Sequence, residues 1–205
     1  MTRHVVIFAR APQFGRAKRR LGQAIGTAEA TRFYRATLRR QIGALSADPR
    51  WTVWLFVTPD TERRHPAWRG AVPPWRVRPQ GRGDLGQRML APFKGLPPGP
   101  VVLVGSDIPG MRPSHVARAF QMLARHELVF GPARDGGFWL IGARRLRAMP
   151  YGLFADVRWS TAHALADTRA NVPPSMPVGL ADMLDDIDTA DDLRRYRSTS
   201  VRCSP

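Results

Sequence analysis

Asp107 closes the apolar run Val101-Val102-Leu103-Val104-Gly105 as part of a Ser106-Asp107 pair. Such a run reads as a buried parallel strand, and a carboxylate just past its end stands where open α/β sheets bind their ligands. Asp107 is therefore a candidate to hold Mg2+ or Mn2+, hard cations that take carboxylate and phosphate oxygens together. The alternative is that it ties off the turn that follows. Downstream, Asp185-Asp186-Ile187-Asp188-Thr189-Ala190-Asp191-Asp192 concentrates carboxylates. Asp188 reads as a helix N-cap, with Asp191 and Asp192 suited to the positive end of a helix. A second metal contact from Asp186 or Asp188 stays open beside that structural reading. A fourth carboxylate, Asp135, sits in Arg134-Asp135-Gly136-Gly137-Phe138 between two apolar runs. A hairpin turn accounts for it without function, whereas a position across a cleft from Asp107 would let it act as general base toward an acceptor hydroxyl.

Opposite charge follows the first apolar run. Ala9-Arg10-Ala11-Pro12-Gln13-Phe14-Gly15-Arg16-Ala17-Lys18-Arg19-Arg20 combines a glycine with many cations. That composition suits phosphate, although a solvated basic turn has the same make-up. It lacks the glycine spacing and Lys-Ser/Thr ending of a P-loop. A second glycine-rich loop, Gln80-Gly81-Arg82-Gly83-Asp84-Leu85-Gly86, leads into a helix. Its glycines permit close backbone approach to a base or ribose, and Asp84 is placed to cap that helix.

Composition narrows the classes. The chain has 205 residues, 43% of them hydrophobic, which suits one continuous core. Cys203 is the sole cysteine, so no intramolecular disulfide can form. The apolar segment after His4 is too short for a signal-peptide core or a membrane span, and the expected location is the cytoplasm. Net charge is +16, which raises affinity for polyanions. Yet of the 32 lysines and arginines only Lys18 and Lys94 are lysine, and the arginines are scattered along the whole chain, so nucleic acid is not the expected partner. The five histidines show no zinc-type pairing, and both a Gly-x-Ser-x-Gly elbow and a Gly-x-Gly-x-x-Gly turn after the first strand are absent.

The elements that must carry these residues alternate short β-type runs with amphipathic stretches, the pattern of a mostly parallel sheet covered by helices on both faces. Strands are expected at 5–9, 52–58, 76–78, 101–105, 128–131 and 138–141. Helices are expected at 27–45, opened by Thr27, and at 85–93, 113–126, 160–168 and 190–195. Two proline-rich stretches, 72–75 and 96–100, read as turns. Residues 1–197 read as one domain and 198–205 as a disordered tail.

In this order and spacing the motifs PQFGRAKRRL (12–21), QGRGDLGQRM (80–89), GSDIPGM (105–111), GPARDGGFWLIG (131–142), WST (159–161) and DIDTADDL (186–193) resemble a family of small bacterial A-type glycosyltransferase-like proteins, of the radical-SAM-associated or arsenosugar-biosynthesis type. The family belongs to the nucleotide-diphospho-sugar transferases. The resemblance implies a three-layer, Rossmann-like α/β/α domain with an antiparallel hairpin. It implies that Gly15, Lys18 and Arg20 lie on the phosphate side and Gly83, Asp84, Leu85 and Gly86 on the nucleotide side, and Ala9, Arg10 and Gln80 of the same stretches are expected to bind nucleotide or phosphate with them. Asp107 then falls at the metal position, with Asp188 the expected second metal contact, and Asp135 falls on the acceptor-side turn, where it is the expected catalytic carboxylate. Gly136, Gly137, Trp159, Ser160 and Thr161 fall on the acceptor side. This chain departs from the family pattern at Arg19, where a threonine is usual, and at Phe138, where a tyrosine is usual.

The reaction so implied is metal-dependent transfer of a sugar from a nucleotide-diphosphate sugar to a small-molecule acceptor. Two rivals remain at this point: nucleotidyl transfer from a nucleoside triphosphate to a phosphorylated small molecule, and a non-catalytic nucleotide- or polyanion-binding module.

Overall fold

The computed structural model describes the backbone of residues 1–202 and side chains through residue 198. Cys203, and with it the end of the expected tail, lies outside the described residues. A seven-stranded sheet has the order β3-β2-β1-β4-β6-β5-β7. Its strands are β1 (His4–Arg10), β2 (Thr52–Thr58), β3 (Val77–Pro79), β4 (Val101–Gly105), β5 (Leu128–Pro132), β6 (Phe138–Ala143) and β7 (Val178–Leu180). Pairings β1·β2, β1·β4, β2·β3 and β5·β7 are parallel, while β6 runs antiparallel to both β4 and β5. Six strands therefore point one way and β6 alone points back.

The apolar runs are continuous because both faces of the sheet are covered. Along β1, Val5, Ile7 and Ala9 enter one core and Val6 the other, the period-two alternation of a strand. On the first face lie α2 (Thr27–Ser46), through Tyr34, Leu38, Ile42 and Leu45, and α4 (Pro113–Met122), through Val116, Ala119 and Phe120. Against the second face pack Met89 and Phe93 of α3 (Leu85–Gly95), with Leu153 and Phe154. The expected three-layer α/β architecture with one antiparallel excursion is the one observed.

Several boundaries move. Helix α4 stops at Met122, short of the expected 126, and α5 (Ala164–Ala170) begins four residues after the expected 160, so Ser160 and Thr161 lie in a turn ahead of it. Strand β3 shifts one residue, to Val77–Pro79. The short helix α1 (Arg19–Ile25) and the three-residue β7 were not expected from the sequence. Helix α6 (Ala190–Arg202) runs through the first residues of the stretch read as a tail. Its N-cap is Thr189 and not Asp188: Thr189 Oγ1 accepts from Asp192 N at 3.2 Å, and Asp192 Oδ2 accepts in return from Thr189 N at 2.7 Å. Asp188 is thereby released from the capping role. Among the described residues, no helix is long and apolar enough to cross a membrane.

Candidate active site

Topology decides which loops meet. At β1 the winding reverses, with β2 on one side and β4 on the other, and the crevice beyond the carboxyl ends of these two neighbours is the ligand position in such sheets. Arg10 ends β1 there, and Ser106 and Asp107 follow β4. The reversed strand β6 contributes its start to the same edge, which brings the Ala133–Gly137 turn and Asp135 alongside. Strand β7 ends there too and delivers the acidic segment.

That segment is tied down on both sides. Leu184 N donates to Pro132 O at 3.2 Å, and Ile187 N donates to Asp107 O at 3.2 Å. Arg134 adds an ion pair to Asp185, with Nε 3.1 Å from Oδ2. Ile187 is buried against Leu21, Ala30 and Leu193. Ile187 is anchored in this core, and Asp186 and Asp188 on either side of it converge on Asp107. Carboxylate oxygens of Asp107, Asp186 and Asp188 lie within 4.8 Å of one another.

Lys18 joins them. It precedes α1 in a left-handed conformation (φ 54°), and its side chain is 5% exposed. Nζ donates to Asp107 Oδ2 at 2.5 Å and to Asp188 Oδ1. Burial alone would disfavour the ammonium, but the two carboxylates outweigh it and hold its pKa above the ordinary lysine value. For Asp186, burial first and then the like charges of Asp107 and Asp188 push the pKa up to about 7. Tyr34, from the inward stripe of α2, braces the crevice. Its hydroxyl donates to Arg10 O at 2.9 Å, accepts from Arg10 N at 3.1 Å and meets Ser106 Oγ at 2.9 Å. Burial pushes its phenol up to about 12.

Two cavities share this carboxylate group. The first, about 360 Å³, is bordered by Arg10, Arg16, Lys18 and Arg88 together with Ala9, Gln80 and Leu85. The second, about 340 Å³, lies on the far side and is bordered by Asp135, Gly137, Phe138, Trp159, Ser160 and Thr161. Asp107, Asp188 and Leu85 border both, and Asp186 borders the second.

The expected site residues sort accordingly. Ala9, Arg10, Lys18, Gln80 and Leu85 gather at the cationic cavity. Arg20, expected on the phosphate side, borders the second cavity and not the first. Gly15 lies at φ 71° in the turn ahead of Lys18 and borders neither cavity. Asp84 caps α3, accepting from Gln87 N at 2.7 Å, and the returning Gln87 side chain closes over Gly83. Gly86 carries no side chain because a Cβ there would fall 2.4 Å from Phe154 Cβ. Gly136, at φ 84°, packs against the Ala162 backbone, where a Cβ would meet the carbonyl oxygen at 2.2 Å. Gln80 is buried and structural, with Nε2 donating to Ala9 O and Phe56 O and Oε1 accepting from Arg88. Tyr34 and Arg88, which the structure brings to this crevice, were not among the expected site residues.

Residues 39–161 match the family described as "uncharacterized protein conserved in bacteria" (DUF2064). The chain belongs to this family. The DUF2064 match takes in Asp107 and Asp135 and excludes Lys18, Asp186 and Asp188. No curated protein matches the sequence. Among solved structures, a protein from Desulfovibrio desulfuricans G20, provisionally assigned as a nucleotide-diphospho-sugar transferase, is 28% identical, with TM-score 0.86 over 100% of this chain and 90% of that one. That likeness agrees with the superfamily read from the motifs. Two more distant structures share the fold of this DUF2064 protein. The 4-diphosphocytidyl-2C-methyl-D-erythritol synthase of Anaerococcus prevotii DSM 20548 is 10% identical, with TM-score 0.62 over 98% of this chain and 96% of its own. The glucosyl-3-phosphoglycerate synthase of Mycobacterium tuberculosis, in complex with Mn2+, UDP and glucosyl-3-phosphoglycerate, is 14% identical, with TM-score 0.58 over 98% of this chain and 77% of its own.

Proposed function

We propose that this protein is a divalent-cation-dependent transferase that takes a glycosyl group from a nucleotide-diphosphate sugar and passes it to a hydroxyl of a small-molecule acceptor. The observation that carries the reading is the convergence of Asp107, Asp186 and Asp188 between a cavity lined by cations and a cavity bearing a separate carboxylate. An all-oxygen, all-carboxylate donor set fits Mg2+ or Mn2+ and not a soft metal. Bound there, the cation would neutralise diphosphate charge.

The chain's own residues supply the rest. Arg10, Arg16, Lys18 and Arg88 face the first cavity, where charge-assisted bonds to diphosphate oxygens orient the donor and favour the departing nucleoside diphosphate. Phe138 and Trp159, 6.3 Å apart between ring centroids, form an apolar wall of the second cavity that sheds water from the acceptor. Asp135 Oδ1 is engaged by Gly137 N at 2.9 Å, which fixes the carboxylate and leaves Oδ2 to accept the acceptor hydroxyl proton. The bond from sugar carbon to diphosphate oxygen breaks, a bond from that carbon to the acceptor oxygen forms, and the acceptor proton goes to Asp135.

A thermal-shift panel of nucleoside mono-, di- and triphosphates and nucleotide sugars, each with and without Mg2+ or Mn2+, tests this. A ligand at a hundred times its Kd stabilises by about 2.7 kcal/mol. Stabilisation by one nucleoside diphosphate or its sugar only with cation, lost in Asp107→Asn, supports the reading. Equal stabilisation by every polyanion, erased by salt, would remove it. Pyrophosphate release from a nucleoside triphosphate would replace glycosyl with nucleotidyl transfer.

A further inference from the structure

The carboxylates assigned above to a divalent cation already hold a cation of the chain's own. Lys18 Nζ is bonded to Asp107 and Asp188, two of the three, and lies at the boundary of the cavity assigned to the diphosphate. We propose that Lys18 is the resident occupant of the divalent-cation seat, and that it leaves the carboxylates for the donor's phosphates when the cation enters, so that cation and nucleotide load together. The inference rests on the reading of the site given under Proposed function.

The argument is one of charge and reach. One ammonium cannot balance three carboxylates, so the cluster keeps an appetite for more positive charge while two of its members are engaged. A divalent cation and Nζ draw on the same two side chains, and the two positive charges repel at that range, so entry of one displaces the other. Lysine suits the part. It is a compact point charge on a flexible four-carbon stem, whereas the planar guanidinium of the neighbouring arginines would need a two-pronged partner. Once displaced, Nζ turns to the cavity it borders, where a donor phosphate is the anion that can pair with it. Each ligand then makes room for the other, and thermodynamic reciprocity requires nucleotide to tighten the cation by the factor by which the cation tightens nucleotide.

A purely structural role makes the opposite prediction. If Lys18 only held Asp107 and Asp188 in place, its loss would loosen cation binding; if it occupies the seat, its loss tightens it. Calorimetric titration with Mn2+ alone, without nucleotide, separates the two in the native protein, Lys18→Met and Arg20→Met. Arg20 lines the second cavity, which Asp107, Asp186 and Asp188 also line, so Arg20→Met removes an equal charge without vacating the seat. The expected result is at least tenfold tighter Mn2+ binding in Lys18→Met and less than threefold change in Arg20→Met. Unchanged or weaker binding in Lys18→Met overturns the proposal and leaves the transferase reading standing. If neither native protein nor Lys18→Met binds Mn2+, with or without UDP or GDP, the transferase reading falls and takes the proposal with it.

The native protein gives a second measurement should Lys18→Met not fold. The chain has two lysines, and Lys94 is exposed, so amine labelling read by mass spectrometry has an internal reference. Saturating Mg2+ should raise Lys18 labelling severalfold relative to Lys94, and UDP or GDP added on top should lower it again. Lys18 labelling that does not respond to Mg2+ at concentrations calorimetry shows to be saturating overturns the proposal.

Discussion

The amide of Ile187 donates to the carbonyl oxygen of Asp107 at 3.2 Å, and this backbone bond ties together two carboxylate-bearing segments eighty residues apart. Ile187 is 2% exposed and is the peg that keeps Asp186 and Asp188 turned toward Asp107. Ile187→Ala should cost about 2–5 kcal/mol of stability by leaving a cavity. It should also weaken divalent-cation binding although no ligand is altered. Urea unfolding and a Mn2+ titration check the two effects together. A variant that loses stability but binds Mn2+ as before would show that the peg does not set the site.

Asp186 carries the clearest electrostatic burden, since it is partly buried among like charges while Lys18 bonds to its neighbours Asp107 and Asp188. Asp186→Asn removes one of three crowded carboxylates, so the metal-free protein should melt higher than native, while the rise in melting temperature on adding Mn2+ should shrink or vanish. Thermal melts with chelator and with Mn2+ decide it. A variant less stable than native without metal would contradict the crowding argument.

Tyr34 is the brace between β1 and the Ser106-Asp107 turn. Tyr34→Phe keeps the ring in the core but strips the hydroxyl that pairs with Arg10 and Ser106. Loss of a buried hydroxyl that leaves partners unpaired costs about 1–3 kcal/mol. Hydrogen exchange should show the Arg10 amide less protected in the variant. Unchanged protection with unchanged stability would mean the hydroxyl is not a brace.

The sequence announces what is periodic and local. Continuous apolar runs predicted β1, β2 and β4 closely because a strand buried on both faces leaves that trace. The Asp84 cap and the Asp135 turn were legible from short-range chemistry. What it concealed depends on distant contacts. Strand β7 is three residues after a proline and exists because β5 offers it a parallel edge. Asp188 looked like a cap because Thr189, one residue on, competes for the same role and wins through Asp192. The family resemblance groups Arg20 with Lys18, yet across the turn into α1 Lys18 borders the first cavity and Arg20 the second. The contact of Lys18 with Asp107 and Asp188 spans most of the chain and has no local signature.

An exposed ion pair between Arg158 and Asp167 clamps the turn that carries Trp159, Ser160 and Thr161 and makes its stability depend on pH. Asp167 accepts from Arg158 Nε at 2.9 Å, from Arg158 Nη2 at 2.8 Å and from the Arg158 amide at 3.1 Å. The guanidinium bonds first, then the backbone bond, bring its carboxyl down to about 2 from the ordinary 3.8. A folded pKa below the unfolded one means the unfolded chain binds the proton more readily, so this contribution is present above about pH 4 and is lost as pH falls through about 2. Asp167→Asn should therefore be less stable than native at neutral pH, and the gap should narrow as pH is lowered from about 4 toward 2. The pair is exposed, so salt should narrow it too. Urea midpoints of both proteins across that range, at low and high salt, measure this directly. If the two midpoints instead stay a constant distance apart down to the lowest pH at which both fold, the Asp167 carboxylate contributes nothing that depends on its charge, and the turn is held by its backbone and by the packing of Trp159 on Phe154.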